Sequence, residues 1–279
     1  MIKRFSIIII SIAITSISVF FYLNANNENT NHNILNDTSY IEPIFKVTTS
    51  QTNLDKAKIV NNTVIVESAE ISLRSDLKSL YDEISIHNSN VIVVYPIFTQ
   101  SAYAKNGFYA YYRGECDSSC LTIPIRKNPS IPFSSGYTGF RVLQLLGYSY
   151  ITDVDIDKNP GILEHYDKVI ILHNEYMTQN EFDAITHHPK VIYLYPNSLY
   201  AKINVDYNNN TMTLVKGHGY PDINIKNGFD WKFDNSQFEH DTDCDNILFE
   251  EVDNGIMLNC YPEYKILYDA SLLKTIKNW

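Results

Sequence analysis

The apolar positions of the chain fall into two periods. "TVIVES" (63–68), "VIVVYP" (91–96), "KVIIL" (168–172) and "KVIYLY" (190–195) are short β-branched runs without alternation, as expected of strands buried on both faces. "LRSDLKSLYDEI" (73–84) instead sets Leu73, Leu77, Leu80 and Ile84 on one helical face. Strand, helix and strand over 63–96 predict a β-α-β unit with parallel strands. A second helix ends near Gly147, where glycine suits a left-handed cap, and a strand follows at 149–152. A third helix, "QNEFDAITHH" (179–188), separates the last two runs. Strands interleaved with helices predict an α/β domain over 63–200, a three-layer sandwich with a mostly parallel sheet.

Beyond residue 200 the pattern changes. "KINVDY" and "TMTLV" alternate apolar with polar residues around "NNN", which predicts a β-hairpin. From Gly217 to Tyr264 there is little period, so an irregular C-terminal extension of loops and short strands is expected over one end of the sheet, closed by a helix near "ASLLKTIKN".

The first 62 residues are of another kind. Lys3 and Arg4 precede an uncharged, Ile-rich run from Phe5 to Leu23, long enough to cross a bilayer as a helix. It reads as a membrane anchor or a cleaved signal segment, and the poor cleavage site around Ala25 favours the anchor. Residues 24–62 form a polar, Asn-rich stalk expected to be disordered. Either reading of 1–23 puts the main domain outside the cytoplasm, anchored or secreted.

That location changes the meaning of the four cysteines. Cys116 and Cys120 in "CDSSC", with Cys244 and Cys260, predict two disulfides, 116–120 and 244–260. A four-thiolate zinc site is the rival, but the spacings lack the tight knuckles of most such sites. Net charge adds one exclusion: 22 basic against 32 acidic residues, a balance of −10, offers no footprint for nucleic acid. The expected partners are a small-molecule ligand or a surface protein, and the membrane through the N-terminal segment.

The candidate chemistry lies in "HNEY". The strand ends at Leu172, and Thr178 with Glu181 forms a capping box, so the helix starts at Gln179. His173, Asn174, Glu175 and Tyr176 thus occupy a turn between a strand's carboxyl end and a helix's amino end, where open α/β sheets bind ligands. His173 and Glu175 are the candidate catalytic residues. Each also has an ordinary structural role: a dipole-complementing Glu, a strand-capping His, a Tyr plugging the sheet edge. "TDVDID" (152–157) suits a Ca²⁺ or Mg²⁺ site less well than a solvated strand end, since the Gly and distal Glu of an EF-hand loop are missing. His187 and His188 read as a helix C-terminal device. The 21 tyrosines suit an amphipathic binding surface as well as a core.

"TQSAYAKNGFYAYY" (99–112), "GYSYITDVDI" (147–156) and "YDKVIILHNEYMTQNEFDAI" (166–185) resemble, in order, segments of the large subunit of N,N-dimethylformamidase and its relatives. That domain is similar to a class I glutamine amidotransferase fold. In the family the third segment typically reads G-H-x-E-Y-W-T; here Leu172 and Met177 replace the Gly and Trp. The resemblance implies a mononuclear iron held by two tyrosines and a carboxylate, acting on a small amide. Tyr176 matches the family's tyrosine; Tyr103 and Tyr137 are the alternatives for the second, and Glu239 is the carboxylate. Two functions are therefore expected: a hydrolase-like domain cleaving a C–N bond, or a catalytically silent module that binds a ligand or partner at the same edge.

Overall fold

The computed structural model describes residues 43–48, 70–87, 89–129 and 136–279, with the backbone of three short strands at 19–20, 58–60 and 63–66. In chain order the first strands are β1 (Val19–Phe20), β2 (Phe45–Thr48), β3 (Lys58–Val60), β4 (Thr63–Val66) and β5 (Glu70–Leu73). Next come β6 (Val91–Tyr95), β7 (Thr122–Pro124), β8 (Ser149–Thr152), β9 (Lys168–Ile171) and β10 (Tyr176–Met177). The last are β11 (Val191–Tyr193), β12 (Ala201–Asp206), β13 (Thr211–Lys216), β14 (Phe249–Val252) and β15 (Gly255–Leu258).

The molecule is mixed α/β. Its central sheet runs β14-β15-β11-β9-β6-β8, parallel throughout except for β14 at one edge. Alternate residues of these strands feed two apolar clusters: Ile92, Val94, Val169 and Ile171 enter one, and Val93, Tyr95, Ile170 and Ile192 the other. Burial on both faces is why the strands show no polar alternation. A second sheet, β10-β12-β13-β7, contains the expected hairpin, with Asp206 opposite Thr211.

The helix Tyr137–Leu145 ends as anticipated, Gly147 taking a positive φ of 92°. A Cβ there would stand 2.9 Å from the Ile86 carbonyl oxygen, so close approach and conformation both call for glycine. The helix Gln179–His187 carries the predicted capping box: Thr178 accepts from the Glu181 amide, and Glu181 accepts from the Thr178 amide.

Four expectations need correction. The β-α-β unit over 63–96 does not form: β4 pairs antiparallel with β1 and β3, and β5, the strand before helix Lys78–Ile84, pairs antiparallel with β2. β6 already has β9 on one side and β8 on the other, so no edge is free for residues 63–66.

The transmembrane reading of 5–23 is overturned where the structure reaches it, because Val19 and Phe20 are extended and pair with Val66 and Ile65. A β-branched apolar run serves a strand as readily as a helix. The rest of that segment lies outside the described residues, and among those described no helix is long and apolar enough to cross a membrane.

The polar stalk also breaks off early. Ile44 and Phe45 are buried, and β2 packs on the domain, since "IFKV" supplies an apolar foothold after the Asn-rich tract. The remainder of 24–62, apart from the β3 backbone, lies outside the described residues. Finally, the C-terminal extension does more than cover the sheet. β15 adds to it beside β11, and helix Ala270–Asn278 packs against helix Lys78–Ile84.

Both predicted disulfides form, Cys116–Cys120 with Cα atoms 6.2 Å apart and Cys244–Cys260 with Cα atoms 5.4 Å apart. The sulfurs are thereby committed as two covalent pairs rather than a zinc site. Two disulfides point to an oxidising, extracytoplasmic environment.

Candidate functional site

The turn 173–176 carries the chain from the central sheet to the second one, between β9 and β10. Its backbone is clamped. Leu199 donates to the Asn174 carbonyl, Tyr200 and Ala201 donate to the Glu175 carbonyl, and the Tyr176 amide donates to the Thr99 hydroxyl at 3.1 Å. With the main chain so engaged, the side chains are held rigidly for other purposes.

Glu175 is fully buried. One carboxyl oxygen, Oε2, accepts a short hydrogen bond from the Tyr103 hydroxyl, while Oε1 has no partner. Burial, then the charge of Glu239, push its pKa well above the carboxylate range, against the opposing pull of Tyr103. Burial thus favours the carboxylic acid over the carboxylate. His173 is equally enclosed. Its Nδ1 lies 3.4 Å from the Tyr261 hydroxyl, its Nε2 has no partner, and burial lowers its pKa to about 3. Tyr103 links the two: its hydroxyl holds Glu175 and its ring centre stands 5.7 Å from the His173 ring.

Tyr176 is fully buried, 6.4 Å from Tyr103 and 5.2 Å from Phe108 between ring centres. Its hydroxyl feels the nearby Tyr109 phenol but has no partner at hydrogen-bonding geometry. The Asn174 side chain is buried with neither polar atom partnered. Glu239 follows the short turn Ser236–Phe238, half-buried, and its charge reaches Glu175, Tyr103, Tyr109, Tyr200 and Tyr261. Tyr137 is placed elsewhere: it opens helix Tyr137–Leu145 and packs its ring on Phe140.

Several members of the site carry no sequence signal. Tyr109 and Tyr112 come from the short helix Tyr109–Tyr112. His218 lies between Gly217 and Gly219, all three with positive φ, and this turn sets its ring 4.7 to 6.2 Å from those of Tyr112, Tyr109, Tyr200 and Tyr176. Burial lowers the His218 pKa to about 4. A second acid, Glu263, accepts from the Tyr195 hydroxyl at 2.6 Å and from the Thr138 amide at 2.9 Å, and burial pushes its pKa to about 7. Tyr195 in turn stacks on His173 at 6.3 Å.

The donor set does not fit the iron centre implied by the resemblance, which corrects the metal-binding reading of Tyr176, Tyr103, Tyr137 and Glu239. Tyr103 and Tyr176 are driven well above the usual phenol pKa, first by burial and then by Glu175. Tyr103 spends its proton on Glu175. Tyr137 lies apart, and among the described residues no three His, Cys, Asp or Glu side chains gather as metal ligands.

No family model and no curated protein matches the chain. The functional argument therefore stands on the site's own geometry.

"TDVDID" proves to be a helix start, not a solvated strand end. Thr152 and Asp155 form a capping box, buried Asp153 accepts from the Phe98 and Val154 amides, and Asp157 accepts from the Thr178 and Tyr207 hydroxyls. His187 closes the next helix, its Nδ1 2.6 Å from the Asp183 carbonyl oxygen.

Proposed function

We propose that the turn 173–176 is the acid–base centre of an extracytoplasmic, hydrolase-like domain that cleaves the C–N bond of a small amide. In this reading the mixed α/β architecture is a three-layer sandwich, and the segments resembling the large subunit of N,N-dimethylformamidase support it. One observation carries the reading: the buried carboxyl of Glu175, its pKa raised well above the carboxylate range, has an unpartnered oxygen, and the buried, neutral imidazole of His173 in the same turn has an unpartnered Nε2.

The roles follow from protonation. Glu175 donates through Oε1 to the departing nitrogen. With the Nδ1 proton shared with Tyr261, His173 Nε2 takes a proton from the attacking water. Tyr103 positions Glu175, and the Asn174 amide is available to the substrate carbonyl. Glu263 and Tyr195 hold the far side of the His173 ring.

Amine release from formamide, acetamide and their N-methyl derivatives by the disulfide-intact protein tests this. Turnover that falls at least a hundredfold in Glu175→Gln, with the fold retained, is expected. No turnover by the unaltered protein on any of these amides would overturn it. The alternative, a catalytically silent binding module, is favoured by the density of tyrosine rings around His218.

A further inference from the structure

We propose that this centre also binds a small primary or secondary organic ammonium ion; its place in a reaction, as the amine leaving a C–N bond, rests on the hydrolytic reading.

Four rings close a circuit. Tyr103 to Tyr109 is 5.0 Å between centres, Tyr109 to His218 5.6 Å, His218 to Tyr176 6.2 Å, and Tyr176 back to Tyr103 6.4 Å. A cation held among aromatic rings at such spacings lies within the roughly 6 Å over which a ring quadrupole attracts it. Hydroxyls gather there too, because Tyr109's phenol interacts with those of both Tyr103 and Tyr176. Glu175 completes the set with a fully buried, unpartnered oxygen, and Tyr176 adds a buried hydroxyl.

The surroundings have one electrostatic sign. Burial acts first on Glu175, Tyr103, Tyr109, Tyr112 and Tyr176, and the neighbours that act next are Glu175, Glu239 and other phenols, with no lysine or arginine among them. Both imidazoles nearby, His173 and His218, are neutral. A buried acid site with no basic counter-charge is relieved by a cation that brings hydrogen-bond donors. An ammonium ion supplies positive charge for the rings and N–H groups for the carboxyl and phenol oxygens.

Binding has a balanced proton account. Glu175 enters as a carboxylic acid; as the ammonium ion arrives, the O–H bond at Oε1 breaks, the proton leaves to solvent, and a carboxylate–ammonium pair remains. No electron is transferred.

Calorimetric titration of the full chain with methylammonium chloride at pH 7, in two buffers of different ionisation heat, measures both affinity and proton release. Saturable binding with close to one proton released per ion is expected. Glu175→Gln should release none and bind at least tenfold more weakly, and Tyr109→Leu should weaken binding while keeping the proton release. Heats equal to those of sodium chloride at the same ionic strength would overturn the proposal, as would acetamide binding as tightly as methylammonium. Amide turnover without ammonium binding overturns this inference and leaves the hydrolytic reading; ammonium binding without turnover does the reverse.

Discussion

Glu175 and Glu181 lie on either side of the same strand-to-helix junction, both fully buried and both pushed far above the usual carboxylate range. Each has one oxygen engaged and one without a partner. Their neighbours differ. The bonded oxygen of Glu181 accepts from the Thr178 amide, and buried Asp153 beside it accepts from the Phe98 and Val154 amides. That pair is occupied by backbone. Glu175 takes nothing from the backbone; a phenol holds it, and rings and imidazoles surround it. Burial and raised pKa alone do not mark a site; what an acid's oxygens face does.

The largest test separates ring from hydroxyl at the next position. Tyr176→Ala should cost about 3 to 5 kcal/mol, as truncation of a buried aromatic does, while Tyr176→Phe should stay within about 1 kcal/mol. Urea unfolding midpoints measure both. Equal losses would mean that the hydroxyl, not the ring, carries the packing.

pH gives the next effect. Glu263 rises from 4.5 to about 7 in the folded state. A raised acid contributes stability that is fully present below the unfolded pKa and is lost as pH rises through the folded one. The loss should be about 3 kcal/mol between pH 4.5 and 8. Glu175, Glu181 and Asp153 shift in the same direction, so the protein should be more stable at pH 5 than at pH 8, with Glu263→Gln flattening part of the slope. Urea midpoints that rise with pH would contradict this.

A smaller change is expected on the structural side of the junction: Thr178→Ala removes the cap and should cost about 1 kcal/mol in thermal unfolding. Smallest is Glu175→Gln, which keeps the side chain's shape and an oxygen for the Tyr103 hydroxyl and should alter stability by less than about 1 kcal/mol. A loss several times larger would place Glu175 among the structural acids and dissolve the contrast.

The junction itself was legible. Thr178 and Glu181 announced the helix three residues ahead, and the unalternated runs at 91–96, 168–172 and 190–195 marked strands buried on both faces. Local chemistry dictates such features, so local reading finds them. The partners of Glu175 were harder. Tyr103 lies 72 residues away along the chain, and His218 is delivered by a Gly-His-Gly turn whose positive φ values no periodicity reveals. Glu263 reaches Thr138 across 125 residues. One signal was available and missed. "EEVDNGIML" contains a two-residue turn, Asp253–Asn254, ahead of Gly255, and such turns mark hairpins. It would have predicted β14 and β15, though not that β15 joins the central sheet, which depends on the free edge of β11.

That strand bears on what a shortened chain would lack. Gly255 sits against β11 so tightly that a Cβ would fall 1.8 Å from the Val191 carbonyl oxygen, and buried Lys168 of β9 donates to the carbonyls of Ile276 and Lys277. β11 and β9 thus each take a partner from beyond residue 250. A chain cut or paused before about residue 255 would hold β11 as an open edge and leave the Lys168 ammonium without its carbonyl partners.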